Sequence, residues 1–338
     1  MTAVPPPPTD ATPPPGGPTP PRRVFMLGAT GTIGRATLRA LVRHGHEVVC
    51  FVRPGRTLES LSGVTVREGH VSDPASLARD GFRGEPFDAL VSCLASRTGT
   101  PRDAWAIDHQ AHEHALEAAR TAGVSHIVLL SAICVQKPLL AFQHAKLAFE
   151  AQLMASGITW SIVRPTAFFK SLSGQVQRVQ QGKPFLIFGD GTLTACTPIS
   201  DDDLAEYLVE CLDDATRHNK ILPIGGPGEP LTPRAQGEQL FALLGQPPRF
   251  RSLPVAFLDV IIAVLSTVGR VIPAVADKAQ LARIGRYYAT ESMLVWDAKA
   301  QRYDAAVTPR TGHDTLRAYH AQLLRGDATD DRGEHAVF

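Results

Sequence analysis

The chain has 338 residues, 34 Lys and Arg against 33 Asp and Glu, a net charge of +1, and is 44% hydrophobic and 20% charged. This is enough for one large or two small domains with a sizeable core, and a balance so near zero excludes a general nucleic-acid binder, which needs a basic surface to displace counterions. Ten of the 27 prolines fall within residues 1–21, so proline marks a leader and does not describe the fold.

Residues 1–22 are expected to form a disordered Pro-rich leader, because repeated proline favours a solvated, extended chain with too few apolar groups to order it. The leader has neither the apolar stretch of a secretory signal nor the Arg and Ser of a transit peptide. Val24–Leu27 predicts a short apolar strand. It runs into Gly28-Ala29-Thr30-Gly31-Thr32-Ile33-Gly34 and then into a helical pattern over Arg35–His44. Strand, glycine turn and helix together make a pyrophosphate cradle: the glycines allow close backbone approach and the helix start presents N–H groups. A second strand, Glu47–Val52, ends at Arg53-Pro54-Gly55-Arg56. An NAD-preferring site puts an acid there for the ribose hydroxyls, whereas Arg53 and Arg56 suit a 2′-phosphate, so the expected cofactor is NADPH.

Strands follow at Val64–Glu68, Phe87–Cys93, His126–Ala132 and Ile158–Arg164, with a helix over Ala104–Ala122. Asp73 is a candidate acceptor for the adenine amine, and Cys93-Leu94-Ala95 should pass beneath the cofactor. The alternation predicts an α/β fold: a Rossmann-like doubly wound parallel sheet over 23–195, with a smaller C-terminal α/β substrate lobe over 196–326 whose segments return to the core. Residues 327–338 read as a polar tail. The five cysteines are scattered, with no CxxC pair. That suits a reducing, cytoplasmic setting and excludes a cluster-bearing, ferredoxin-dependent enzyme.

The spacing Gly28-x-x-Gly31-x-x-Gly34 resembles the short-chain dehydrogenase/reductase superfamily. In that superfamily a Ser ending the fifth strand, and a Tyr four residues before a Lys on the next helix, surround the substrate. The resemblance assigns Ser131 and Lys146 to catalysis, with Lys146 also on the nicotinamide ribose, but position 142 is Phe. Phe142 cannot shuttle a proton. A site with Lys and without Tyr suits reduction of an activated carbon–carbon double bond, with the proton arriving from solvent or a nearby acid.

Three longer strings carry a narrower resemblance: Ser131-Ala132-Ile133-Cys134-Val135-Gln136-Lys137-Pro138-Leu139-Leu140 with Phe142-Gln143 and Ala145-Lys146-Leu147; Arg164-Pro165-Thr166-Ala167-Phe168-Phe169-Lys170-Ser171-Leu172; and Arg286-Tyr287-Tyr288-Ala289-Thr290-Glu291-Ser292-Met293-Leu294-Val295. Together they resemble the NADPH-dependent divinyl chlorophyllide 8-vinyl reductases of chlorophyll and bacteriochlorophyll biosynthesis, over roughly residues 23–320. The resemblance implies reduction of the 8-vinyl group of a divinyl (proto)chlorophyllide, a magnesium tetrapyrrole, to ethyl. A non-catalytic NADP sensor or assembly factor, and a reductase or isomerase on a smaller phenolic substrate, are the alternatives.

Pro165 and Phe168 are further cofactor candidates. Phe142, His144, Phe168 and Phe169 are substrate candidates, with Phe168 and Phe169 placed to stack on a flat ring and core packing as the rival reading for those two. His144 is a candidate axial ligand to the substrate's magnesium, and water is the alternative. His109, His112 and His114 lack a completing carboxylate, so no metal site of the protein's own is expected. Phe185–Phe188 followed by Gly189-Asp190-Gly191 predicts a hairpin, Ser200 a helix cap before Asp201–Leu212, Lys220–Ile224 a strand, and Thr232-Pro233 a helix start. Val255–Val268 is too short to span a membrane. It is either a buried helix of the substrate lobe or an apolar surface touching the pigment rim or, peripherally, the photosynthetic membrane.

Overall fold

The computed structural model describes residues 20–58 and 60–328. Most of the Pro-rich leader and of the C-terminal tail therefore lies outside the described residues. Six strands arise where the apolar runs predict them: β1 (Arg23–Leu27), β2 (Glu47–Val52), β3 (Val64–Glu68), β4 (Ala89–Ser92), β5 (His126–Leu130) and β6 (Thr159–Pro165). Two more are β7 (Phe185–Phe188) and β8 (Lys220–Ile224). All but β7 join one parallel sheet in the order β3-β2-β1-β4-β5-β6-β8.

Because side chains alternate across a strand, β1 feeds two cores. Val24 and Met26 pack on one face with the helices Thr32–Arg43 and Asp201–Glu210. Phe25 and Leu27 pack on the other with Phe82, Phe149 and Leu153. Phe25 stacks on Phe82 with ring centroids 3.9 Å apart and meets the Phe87 ring edge-on at 5.3 Å. A sheet apolar on both faces is the signature of helices on both sides.

The predicted caps form: Ser200 accepts from the Asp203 amide at 3.0 Å and Thr232 from the Ala235 amide at 3.2 Å. Three expectations change. The helix expected at Ala104–Ala122 starts at Pro101 and carries a π-helical segment over Trp105–Ala111. Gly189–Gly191 does turn the chain, but not into a hairpin, since β7 pairs in parallel with β9 (Phe250–Leu253). Residues just after the turn form no strand, and a small core of Val176, Phe185, Leu240 and Phe241 holds this second sheet.

The third change concerns Val255–Gly269. This stretch is helical, but none of its residues is buried, which excludes the buried-helix reading. One side meets the helix Pro273–Thr290 so tightly that a Cβ on Gly269 would overlap Ala276, and Asp259 pairs with Arg286. Phe257, Val260, Val264 and Val268 form an exposed stripe at helical spacing, 41–60% accessible. The strands β10 (Val295–Asp297) and β11 (Arg302–Asp304) close the lobe as an antiparallel pair.

Candidate functional site

The site lies at the carboxyl ends of the parallel strands, where open α/β sheets bind ligands. Gly28 has φ +77°, and a Cβ there would overlap the backbone of Cys93 and Leu94. A Cβ on Gly34 would likewise strike the Gly28 carbonyl. Gly31 instead caps the helix Thr32–Arg43 with no side-chain bond and no acid in the first turn, and a Cβ there would meet only the Gly28 oxygen at 3.5 Å. The helix start thus offers bare N–H groups over an open approach, and these residues fit a dinucleotide pyrophosphate. Thr30 and Thr32 are half-buried, while the Ala29 and Ile33 side chains belong to the core, so only their backbones face the cradle.

Arg53 and Arg56 flank an exposed turn closed by the Arg56 amide on the Arg53 carbonyl at 3.2 Å. Asp73 is exposed and already accepts from the Ala75 amide at 2.9 Å, capping a short helix. The Cys93 amide continues the ladder by bonding the Leu27 carbonyl at 2.9 Å, and burial pushes its thiol up to about 12, an unreactive group. Leu94 packs against the aromatic core and Ala95 is exposed.

Lys146 sits on the helix Ala141–Ala155 with its side chain 12% exposed, and its Nζ lies 3.0 Å from Oδ1 of Asp108, which is fully buried. One turn further on, Glu150 accepts from the Ser131 hydroxyl at 2.5 Å and is paired with Arg164. The Ser131 proton is therefore committed to a buried carboxylate. Beside the Lys146 pair, His112 is buried and pushed down to about 4, chiefly by desolvation and then by Lys146. The neutral ring donates from Nδ1 to the Ile107 carbonyl and accepts at Nε2 from Ser92, both at 2.9 Å.

Phe142 packs with Ile284 and Tyr287, two residues of the long second helix of the lobe. His144 is exposed, and two residues from Lys146 place it about 200° round the helix, which removes it from the face that carries the lysine. Phe169 is also corrected: it is buried against Tyr319, with rings 5.7 Å apart, so the core-packing reading holds for it. Phe168 packs partly against the main core and Pro165 is buried at the end of β6. Among the described residues no group of three or more His, Cys, Asp or Glu is placed to hold a metal ion.

Sequence reading missed Asp108 and Glu150; the only signal for either is an acid on the inward side of a helix. It also left two strings separate that the fold joins. The Gln136 side chain donates to the Leu294 carbonyl and accepts from the Trp296 amide, Lys137 pairs with Glu291 at 2.8 Å, and the Tyr287 hydroxyl donates to the Cys134 carbonyl at 2.9 Å.

Residues 28–215 match a family model described as NAD(P)H-binding. The divinyl chlorophyllide a 8-vinyl-reductase, chloroplastic, of Oryza sativa subsp. indica is 48% identical over 93% of this chain and 82% of its own length. The chain belongs to that reductase family. The protein of the same name from Arabidopsis thaliana is 44% identical over 92% of this chain and 79% of its own. Among solved structures, the NADPH-dependent quinone oxidoreductase of Escherichia coli complexed with NADPH superposes with a TM-score of 0.65 at 18% identity, covering 89% of this chain and 99% of that one. That likeness shows the shared fold.

Proposed function

We propose that this chain reduces the 8-vinyl group of divinyl chlorophyllide, or protochlorophyllide, to ethyl, using NADPH. The observation that carries the reading is the 48% identity to a vinyl reductase over 93% of the chain, joined to a site that has Lys146 and, at position 142, no phenol. NADPH is favoured over NADH by Arg53 and Arg56 after β2, where no acid awaits the ribose hydroxyls. Bound NADPH supplies the hydride. Lys146 hydrogen-bonds the nicotinamide ribose and places positive charge beside the site. Phe142 offers a ring face and no proton, so addition is to a double bond conjugated with the macrocycle, which spreads the charge until solvent delivers the proton to the second carbon. Hydride and proton together turn the vinyl group into ethyl.

The exposed stripe of Phe257, Val260, Val264 and Val268 supports contact of residues 255–268 with the greasy pigment rim or with a membrane surface. Among the described residues no helix is long and apolar enough to cross a membrane, so such contact is peripheral.

The test is incubation of the purified protein with divinyl chlorophyllide and NADPH, followed by pigment separation. An ethyl product is the expected result. No product, with NADPH binding intact, replaces the reductase reading with that of a nucleotide sensor.

A further inference from the structure

A buried ion pair is a poor stabiliser, because desolvating two charges offsets most of their attraction. The Lys146–Asp108 pair, with side-chain exposures of 12% and 0%, therefore calls for a reason beyond stability. Asp108 lies within the π-helical segment Trp105–Ala111. Such segments insert an extra residue into a turn and recur at functional sites. Its Oδ1 receives two donors, Nζ of Lys146 at 3.0 Å and the amide of Ser96 at 3.1 Å. Ser96 lies in the loop whose start, Cys93, packs under Gly28 in the cofactor cradle. One carboxylate oxygen thus ties the post-β4 loop to the lysine, while Oδ2 is buried with no protein partner.

The other ionisable groups near the ammonium are otherwise engaged. His112 is neutral and bonded at both nitrogens, Glu150 is held by Arg164 and Ser131, and the buried Cys134 thiol is pushed up by desolvation. Asp108 is the acid in contact with Lys146.

We propose that Asp108 is the positioning residue for Lys146, fixing the ammonium against the post-β4 loop so that its remaining N–H groups meet the nicotinamide ribose hydroxyls. A free lysine side chain loses rotamer freedom when it is fixed on a ligand, and holding it before the cofactor arrives removes that cost from binding. The inference rests on the reading that this site binds NADPH.

The test is a double-mutant cycle on NADPH affinity, read by fluorescence titration of the full-length protein. Asp108→Asn is isosteric and keeps an oxygen for the Ser96 amide. It should weaken NADPH binding on the order of tenfold, as expected for loss of a hydrogen bond to a charged group, while in the Lys146→Ala background the same change should alter affinity less than about twofold. If Asp108→Asn leaves affinity unchanged, or weakens it as much without Lys146 as with it, Asp108 does not act through Lys146 and the proposal fails. Should Asp108→Asn not fold, Asp108→Glu, which keeps the charge but displaces the carboxylate, is judged by the same criterion. Wild-type protein that binds no NADPH sinks the cofactor reading instead.

Discussion

His126 opens β5 with its ring buried, 4.5 Å from the His218 ring and bonded at Nε2 to the Ser161 hydroxyl at 3.1 Å. Desolvation first, then the neighbouring His218 and Arg22, push its pKa from 6.5 down to about 3. The folded protein therefore binds this proton less readily than the unfolded chain. The stability tied to it is fully present above pH 6.5 and is lost as pH falls toward 3. At pH 5 the unfolded histidine is almost fully protonated and the folded one is not, a difference of about 1.5 pH units or roughly 2 kcal/mol. His112, pushed to about 4, adds roughly the same amount over this window by the same linkage. His126→Asn removes one titration while leaving a donor for Ser161. Urea unfolding of both proteins, free of cofactor, at pH 8 and pH 5 gives the measurement. The variant should lose about 2 kcal/mol less than wild type between the two pH values, whatever its packing cost at pH 8. The lowered carboxyl of Glu85 holds its contribution down to about pH 4.5 and is common to both proteins. Equal losses in wild type and variant would refute the reasoning.

Lys146→Ala should lower turnover by roughly tenfold to hundredfold, the worth of hydrogen bonds to a charged group, while Phe142→Tyr leaves it near wild type; equal effects in steady-state assays would count against the double-bond mechanism. Removing Arg53 and Arg56 together should raise KM for NADPH by on the order of tenfold or more and leave that for NADH nearly unchanged; a parallel rise for both cofactors would show that the arginines do not read the 2′-phosphate. In flotation with lipid vesicles, wild type should rise with the lipid and a Phe257→Ser/Val260→Asp/Val264→Asp variant should stay below. Wild type that remains at the bottom removes the membrane contact and leaves the pigment rim as the role of the stripe.

Local patterns carried most of what the sequence determined. Apolar runs of strand length, Gly28, Gly31 and Gly34 at a strand-to-helix turn, and Thr232-Pro233 as a cap all act within a few residues, so composition and spacing suffice to place them. The sheet, the cradle and the lysine without its tyrosine followed. Only tertiary structure decided what depends on a distant partner. The Phe185–Phe188 strand looked like half of a hairpin because its true partner, Phe250–Leu253, lies far along the chain and runs parallel. The Val255–Gly269 helix carries the hydropathy of a core element, and solvent reaches it because its neighbour covers one side alone. Asp108 was equally hidden: it lies in a π-helical segment and meets Lys146, 38 positions further along the chain, at 3.0 Å. A strand or a cap is written in adjacent residues, but a charge pair exists only once packing has removed the water between its halves.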